Sequence, residues 1–319
     1  MTNKDIEFSV VVPIYNKASY VERAVESVLK QSFINFEVIL VCDPSTDGSE
    51  QVVESIIDDR IRIIYRDKPG PGGYAARNLG ITSSKGRWIA LLDADDMWYP
   101  EHLEKALKLT KQYPDKKVLT TSRLIEEKGK VKTDAFSKHF RAKGLESRGF
   151  SFLEYLQLSF QLDKPFNSNS IIFHKDCVNG DVFPEGKVKR SGDILAWLKL
   201  TSQASGFAWS SYLGSHTYKD VVGVSKTSLP SIGYNFEFAQ PLYDKCDKSE
   251  AKMLDRYLNR LVKIAWFEHR RAGSKISPLW RYFRFRNSFF YCIFWSFVST
   301  LPKGFVEKLT NLKKRVAPI

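Results

Sequence analysis

Two hydrophobic patterns alternate over the first hundred residues. Continuous apolar runs rich in β-branched residues are typical of strands buried on both faces of a parallel sheet. Between these runs, apolar positions recur at the spacing of an amphipathic helix. The runs predict strands at 8–14, 36–41, 61–65 and 88–92, and the periodic stretches predict helices at 20–31, 49–57 and 74–83. This alternation predicts an α/β fold with a doubly wound, mostly parallel sheet and helices on both faces.

The pattern changes after residue 115. A turn at 127–129 between two β-rich runs predicts a hairpin, and helical periodicity returns at 193–202 and 249–271. The stretch 203–228, rich in Ser and Gly, predicts a loop, either one that closes over a ligand or an ordinary surface loop. We therefore divide the chain into three parts, 1–115, 116–248 and 249–319.

Charge is distributed unevenly along the chain. The 319 residues include 49 Lys+Arg and 36 Asp+Glu, a formal net charge of +13. Residues 270–319 hold eleven basic residues and one acid, Glu307, so this segment carries +10 of that charge. The remainder is nearly balanced, which argues against a nucleic-acid-binding surface spread over the body of the protein.

Cysteine usage and the termini limit the class of protein further. Cys42, Cys177, Cys246 and Cys292 lie far apart, with no zinc-ligand or disulfide spacing, which favours reduced thiols in a cytosolic protein. The polar N-terminus predicts no signal peptide. No stretch reaches the roughly 18 apolar residues of a membrane-spanning helix.

Polar side chains follow three of the predicted strands. Pro13–Asn16 follows the first strand, Asp43 follows the second, and Asp93-Ala94-Asp95-Asp96 follows the fourth. In a doubly wound sheet these strand ends meet at one crevice, where ligands bind. Three carboxylates so close together favour a divalent cation that bridges them to a diphosphate. The alternative is that Asp95 or Asp96 caps the helix that begins near Pro100.

Four sequence motifs in this region resemble glycosyltransferase family 2, enzymes of the GT-A fold that use nucleotide-sugar donors. They are VVVPIYN at 10–16, EVILVCDPSTDGS at 37–49, AARNLGI at 75–81 and GRWIALLDADDMWYP at 86–100. The resemblance covers residues 8–100 and returns at GDILAWLKL, residues 192–200. It implies that 1–115 is the nucleotide-sugar-binding half of a GT-A domain and 116–248 the acceptor-binding half.

The resemblance also implies roles for individual donor-binding residues. Pro13, Tyr15 and Asn16 match the first nucleotide loop of the family. Asp43 matches an acid that contacts the base, with a uracil N–H as the favoured partner, and Arg77 matches an arginine near the nucleotide and diphosphate.

Three further carboxylates match positions of the family. Asp93 and Asp95 match its DxD motif, which binds the ribose and a Mg²⁺ or Mn²⁺ ion, and Asp96 extends that motif as a cap or supporting residue. Asp193 matches the catalytic base of inverting members. The alternative for Asp193 is a helix N-cap.

Three residues depart from the family pattern. Cys42 replaces a usual acid and Pro44 a usual glycine, and both bear on base recognition and so on the choice of uridine. Gly192 stands where a Glu usually precedes the base, which leaves Asp193 as the only carboxylate there.

Four other polar residues have a structural interpretation as well as a functional one. Lys189 and Arg190 would keep the Asp193 carboxylate ionised, or form an ordinary solvated basic pair. His174 and His216 are candidates for contact with acceptor or metal, although a surface or structurally bonded histidine is favoured for both.

The resemblance therefore implies an inverting, metal-assisted glycosyltransferase. It would move a sugar from a nucleotide sugar, with a UDP-sugar favoured, to a hydroxyl of a glycan or lipid-linked glycan in bacterial surface polysaccharide synthesis. One alternative is an NAD(P)-dependent oxidoreductase, because Gly70–Ala75 fits the dinucleotide-binding fingerprint. Another is a non-catalytic scaffold that binds only nucleotide or membrane.

The C-terminal part, 249–319, predicts a helical basic and aromatic extension. Residues 279–298 interleave basic and aromatic side chains before an apolar run, and 305–316 predicts a further basic helix. This pattern is typical of a segment in the interface of an anionic membrane. We therefore expect a cytoplasmic protein held peripherally on the inner face of the cell membrane through 279–316, with no nucleic-acid partner. The alternative is that these helices pack on the catalytic domain or on a second subunit of a homo-oligomer.

Overall fold

The computed structural model of the protein describes residues 5–162, 164–221 and 228–302. Ten strands in these ranges form one sheet: β1 (Phe8–Ile14), β2 (Phe36–Cys42), β3 (Ile61–Tyr65), β4 (Trp88–Leu91), β5 (Met97–Trp98), β6 (Val118–Glu127), β7 (Lys130–Thr133), β8 (Ser147–Phe150), β9 (Ile171–His174) and β10 (Phe207–Tyr218). The α-helices are α1 (Val21–Leu29), α2 (Ser49–Ser55), α3 (Tyr74–Thr82), α4 (His102–Gln112), α5 (Ala135–Arg141), α6 (Phe152–Gln161), α7 (Gly192–Gln203), α8 (Tyr234–Ala239), α9 (Lys248–Arg271) and α10 (Phe289–Thr300).

The first four long strands form the parallel part of the sheet, as the alternating pattern predicts. Their order is β3-β2-β1-β4, so β1 lies between β2 and β4, with Phe8 opposite both Phe36 and Trp88. Because β1 and β2 are covered on both faces, almost every side chain in them is buried. Their carboxyl ends therefore meet at one edge, where the polar loops emerge.

The second half of the sheet is mixed, so the expectation of a mostly parallel sheet is confirmed only for the first half. Strand β9 runs antiparallel between β4 and β6, and β10 lies parallel to β6 but antiparallel to β5 and β8. Of the nine strand pairs within the described ranges, four are parallel and five antiparallel. The predicted hairpin is present as β6 and β7.

The loop predicted at 203–228 is wrong for much of its length, because Phe207–Tyr218 forms β10. Within this strand, the buried Gly214 and Ser215 permit close packing. A Cβ on Gly214 would lie 2.3 Å from Thr121 Oγ1 and 2.4 Å from His102 Nδ1. Ser215 is fully buried beside it. Residues 222–227 lie outside the described ranges.

Two hydrophobic cores cover the two faces of the sheet. One contains Val11 and Ile39 with residues of α3, α6 and α7, and the other contains Val10 and Val12 with residues of α1 and α4. Helix α3 approaches the sheet closely, because a Cβ on Gly80 would lie 2.3 Å from Val11 Cγ1. The strand ends are therefore fixed by packing from both sides.

The C-terminal helices form a third core. Helix α9 begins with a capping box between Asp247 and Glu250, and it packs against α6. Its far end joins α10 in a cluster that includes Val262, Trp266 and Trp295. Across the described ranges, the structure contains no helix with the length and apolar character needed to cross a bilayer. The predicted helix at 305–316 lies outside these ranges.

Candidate active site

All eight residues that the sequence singles out for the site line one cleft at the carboxyl edge of the parallel strands. The cleft has a volume of about 1540 Å³. The eight are Pro13, Tyr15, Asn16, Asp43, Arg77, Asp93, Asp95 and Asp193. The residues that follow β1, β2 and β4 therefore face one space, as the strand-end argument predicts, and Asp193 of α7 faces the same space.

The loops after β1 and β2 are joined by hydrogen bonds. The Asn16 amide donates to Ser45 Oγ at 3.1 Å, and the Thr46 amide donates to Asn16 Oδ1 at 2.9 Å. Asn16 adopts a left-handed backbone conformation, φ 51°, which Asn tolerates better than most residues. Tyr15 is exposed beside it. Asn16 therefore shapes the loop, whereas Tyr15 offers a ring to a ligand.

Asp43, which follows β2, is buried and already has two partners. Its Oδ1 accepts a hydrogen bond from Arg66, and its Oδ2 accepts one from the Gly70 amide at 3.3 Å. Each carboxylate oxygen can accept more than one hydrogen bond, so contact with a base is compatible with this arrangement. Asp43 also fixes the start of the glycine-rich turn at 70–73.

Arg77 connects that turn to the acidic motif. Its guanidinium donates to the Gly72 carbonyl at 2.9 Å and forms an ion pair with Asp93. The ring of Phe183 lies 5.5 Å from the guanidinium carbon. Arg77 is thus held in one orientation at the cleft wall, where a diphosphate would find a fixed positive charge.

Asp95 is compensated by a lysine that the sequence did not point to. Lys17 Nζ lies 2.6 Å from Asp95 Oδ2, and Arg23 donates to the Asp95 carbonyl at 2.6 Å. The positive charges of Lys17 and Arg77 therefore compensate the carboxylates of Asp95 and Asp93, respectively. This arrangement explains how the acidic motif is tolerated at the end of a buried strand.

The Asp93 and Asp95 carboxylates fit a divalent cation. Both are partly exposed in the cleft, with 29% and 21% of their side-chain surfaces accessible, and both offer the oxygen ligands that Mg²⁺ and Mn²⁺ prefer. Across the described residues, no three His, Cys, Asp or Glu side chains cluster as a metal site. Further ligands would therefore come from a donor diphosphate and water.

Asp96 has a structural position. It is buried, accepts hydrogen bonds from the Asn169 side chain and the Tyr218 amide, and thereby connects β4 to β10. Burial raises the pKa of Asp96 well above its ordinary value, and Asp93 and Asp95 add to the effect. Helix α4 begins at His102 with Glu101 at its N-cap, so the alternative that Asp95 or Asp96 caps it is wrong.

Asp193 lies in the first turn of α7, with Ser191 at the N-cap position, so the N-cap alternative is also wrong. Lys164 Nζ lies 2.8 Å from Asp193 Oδ2. Burial raises the pKa of Asp193, but the charge and hydrogen bond of Lys164, together with the Ile194 amide and the charge of Arg77, lower it, so the pKa lies below its ordinary value. Asp193 is therefore ionised at neutral pH.

The basic pair before Asp193 does not compensate it directly. Arg190 donates to Glu268 Oε2 at 2.9 Å and to the Ser228 carbonyl at 3.1 Å. Lys189 lines the cleft. The cation in contact with Asp193 is Lys164, 29 residues earlier in the chain. The expected effect on the carboxylate is present, but it comes mainly from a different residue.

The two histidines are bonded structurally, as the favoured alternative predicts. His174 accepts a hydrogen bond from the Asp176 amide and packs its ring edge-to-face with Trp88. His216 lies in β10, contacts Tyr99 and Glu126, and stacks on Tyr218. Neither histidine is among the described residues that line the cleft.

The glycines of the Gly70–Ala75 segment have packing roles. Gly72 and Gly73 have φ values of 73° and 66°. A Cβ on Gly72 would lie 2.9 Å from the Tyr74 ring, and one on Gly73 would lie 3.0 Å from Arg77 Nη1. The segment follows β3, at the edge of the sheet, rather than the first strand as in a dinucleotide fold.

Comparison with known proteins establishes the family. The sequence model of Glycosyl transferase family 2 matches residues 9–175, just over half of the chain, and the chain therefore belongs to glycosyltransferase family 2. The resemblance carried by the strand-end motifs is thus confirmed. The oxidoreductase alternative is not favoured.

Relatives and a solved structure agree with this assignment. An uncharacterized glycosyltransferase of Rickettsia felis is 31% identical over 201 residues, which are 63% of this chain and 31% of the relative. The succinoglycan biosynthesis protein ExoO of Rhizobium meliloti is 44% identical over 105 residues, 33% of this chain and 29% of the relative. The matched segments thus span about three tenths of each relative.

The fold resembles that of S. aureus TarS. The crystal structure of TarS 1–349 in complex with UDP-GlcNAc superposes with a TM-score of 0.69 at 21% identity, covering 86% of this chain and 78% of that chain. This similarity confirms the GT-A fold that the sequence implied.

Proposed function

We propose that this protein is an inverting, metal-assisted glycosyltransferase of bacterial surface polysaccharide synthesis. It would move a sugar from a nucleotide sugar, with UDP-sugars as the favoured donors, to a hydroxyl group of a glycan or lipid-linked glycan. The observation that carries the proposal is the single cleft that contains both the acidic motif and Asp193.

Asp193 is suited to act as the general base. Lys164 keeps its carboxylate ionised, and the carboxylate lines the cleft. In the transfer, Asp193 accepts the proton of the acceptor hydroxyl while that oxygen forms a bond to the anomeric carbon. The bond from the anomeric carbon to the diphosphate oxygen breaks, and its electron pair leaves with the nucleoside diphosphate.

Two cations beside the acidic motif supply positive charge for the leaving group. Arg77 is fixed by Gly72 and Asp93, and Lys17 lies at Asp95, so both cations border the space next to the acidic motif. A Mg²⁺ or Mn²⁺ ion held by Asp93 and Asp95 would supply further neutralisation of the diphosphate charge. The fixed cations act without reorganising as that charge develops.

The relatives support the class of substrate. ExoO is named for succinoglycan biosynthesis, and the TarS structure contains UDP-GlcNAc. Purified protein should therefore release nucleoside diphosphate from at least one nucleotide sugar in a donor screen carried out with and without Mn²⁺. An absence of release from every UDP-, GDP- and dTDP-sugar, with acceptor glycans present, would contradict the proposal.

We also propose that the C-terminal helices hold the enzyme on an anionic membrane at the inner face of the cell membrane. The face of α10 away from the protein core exposes five large apolar side chains, and Phe290 is 86% exposed. They are Phe289, Phe290, Ile293, Phe294 and Phe297. The opposite face, with Cys292, Trp295 and Val298, is buried on α9. This division is typical of a helix lying in a membrane interface.

The charges beside α10 match anionic lipid headgroups. Arg281 and Arg286 are exposed next to it, and Trp280 adds an exposed aromatic ring. Residues 270–302 include six basic residues and no acid. A symmetric contact between two copies would place these like charges together, which is unfavourable. An anionic lipid surface is therefore the occupant we favour for this face.

A further inference from the structure

Tyr74 connects the donor side of the cleft to the proposed base. It is the first residue of α3, directly after the glycine-rich turn. Its hydroxyl oxygen accepts a hydrogen bond from the Gly192 amide at 2.9 Å, 118 residues away in sequence. Gly192 is the first residue of α7 and precedes Asp193.

The start of α7 depends on this contact. The first amides of a helix have no partner within the helix, and Ser191 at the N-cap position makes no side-chain capping hydrogen bond. Ser191 also has a left-handed backbone, φ 67°. Tyr74 therefore supplies an acceptor that the local sequence does not provide.

The Tyr74 ring also explains the glycine at position 192. A Cβ on Gly192 would lie 2.8 Å from Tyr74 Cζ and 3.0 Å from Tyr74 Cε2. The ring stacks on Phe183 with centroids 5.7 Å apart, and Tyr74 is only 5% exposed. The tyrosine thus occupies the space that a larger residue at 192 would need, at the position where the family resemblance places a glutamate.

The same turn of α3 holds the acidic motif. Tyr74 and Arg77 are three residues apart and lie on one face of the helix. Arg77 pairs with Asp93 and donates to Gly72, while Tyr74 accepts from Gly192. A single helical turn therefore fixes both the donor-binding carboxylate and the helix that carries the base.

We propose that Tyr74 is a positioning residue for Asp193, in that its hydroxyl and ring fix the first turn of α7 relative to the glycine-rich turn. The inference rests on the proposed function, because it assigns Asp193 as the base. Burial raises the pKa of Tyr74 to about 12, with a further contribution from Asp193, so the hydroxyl is neutral at physiological pH. Small displacements of a reacting group cost large factors in rate.

The test compares Tyr74→Phe with Tyr243→Phe in the full chain. Tyr243 also has a hydroxyl hydrogen bond, to Asp255 at 2.6 Å, but it lies outside the cleft. With the best donor from the screen, Tyr74→Phe should lower kcat by about tenfold or more while leaving the donor KM nearly unchanged. Hydrogen exchange of the 192–195 amides should become faster, and Tyr243→Phe should change neither property.

Gly192→Ala provides a second variant, since its methyl group would crowd the Tyr74 ring, at 2.8 Å from Cζ, as well as Pro184, at 2.9 Å from Cγ. Its effect on kcat and that of Tyr74→Phe should be strongly non-additive, because both disturb one contact. Unchanged kcat and exchange in Tyr74→Phe would overturn the inference, as would equal losses in Tyr243→Phe. If the unmodified protein releases no nucleoside diphosphate, the proposed function fails, and the exchange measurement alone then decides whether Tyr74 fixes α7.

Discussion

Lys164 and Asp193 form an ion pair in which Nζ lies 2.8 Å from Oδ2, and this pair sets the charge state of the proposed base. Lys164 lies between α6 and β9, whereas Asp193 lies in α7. Burial alone would raise the pKa of Asp193, and the lysine makes the largest of the contributions that together lower it below its ordinary value. The ionisation of the base therefore depends on a contact that forms only in the folded chain.

Lys164→Met should move the acidic limb of the pH–rate profile to higher pH. Without the lysine, the two largest contributions that lower the pKa are lost, so Asp193 takes up a proton at a higher pH and activity is lost earlier on acidification. Lys199→Met is the matched control. Lys199 lies on α7, the helix that carries Asp193, but it donates hydrogen bonds to the carbonyls of Asn179 and Asp181. A profile of kcat against pH that is the same in both variants would argue against this role.

The same ion pair affects stability. The pKa of Asp193 in the folded protein lies below its ordinary value of 3.8, so ionised Asp193 stabilises the fold at higher pH. This contribution is lost as the pH falls through the folded pKa. Chemical denaturation of the native protein should therefore show a free energy of unfolding that decreases as the pH falls below 4. The part of this decrease that is due to Asp193 should be absent from Lys164→Met.

Asp95→Ala should weaken metal-dependent donor binding by about tenfold or more, because one of the two proposed carboxylate ligands is lost. Calorimetry with a nucleotide sugar, in Mn²⁺ and in chelator, measures the effect. Asp58→Asn is the control, since Asp58 pairs with Arg60 in the turn before β3 and lies outside the cleft. Unchanged donor affinity of Asp95→Ala in the presence of metal would refute the metal role.

The exposed face of α10 should be needed for binding to anionic vesicles. Phe290→Ser/Ile293→Ser/Phe297→Ser removes apolar side chains that make no part of the buried core. It should abolish sedimentation with phosphatidylglycerol-containing vesicles. Arg281→Ala/Arg286→Ala should weaken binding by about 1 kcal/mol for each residue, or about fivefold each.

The control for this prediction is Ile34→Ser/Ile57→Ser, which removes two strongly exposed apolar side chains from the α/β body. Vesicle binding by the triple variant at the level of the native protein would show that α10 does not contact lipid. A shift of the triple variant from dimer to monomer in light scattering would instead identify a second copy as the occupant of this face.

Gly80→Ala should destabilise the fold although alanine favours helices. The gain in helix propensity is about 1 kcal/mol, whereas the added methyl group would overlap Val11 Cγ1. Overpacking of this kind costs typically 1–3 kcal/mol. A denaturation midpoint equal to or above that of the native protein would show that α3 can move away from β1.

The part of the fold that the sequence predicts well is the part in which hydrophobic pattern and burial coincide. Strand β1 has the predicted bounds, Phe8–Ile14, because it is buried on both faces. Strand β10 was missed because its Ser and Gly residues give no long apolar run, although Gly214 serves close packing against Thr121 and His102. Pattern analysis detects apolar burial, but it does not detect buried small residues.

The residues of the candidate site could also be predicted only in part. The carboxylates follow strands or begin a helix, and their positions could be found from the chain alone. Their cationic partners Lys17 and Lys164 could not, because each lies in a loop and meets its carboxylate only through the tertiary fold. Tyr74 was missed for the same reason, since its partner Gly192 is 118 residues away.

The central claim is that Asp193 is the base of a glycosyl transfer, and Asp193→Asn tests it most directly. This substitution preserves the shape of the side chain and removes its capacity to accept the hydroxyl proton. We predict that kcat for transfer falls by about 10²- to 10⁴-fold, while donor affinity measured by calorimetry changes little. Turnover by Asp193→Asn at the rate of the native protein would contradict the account.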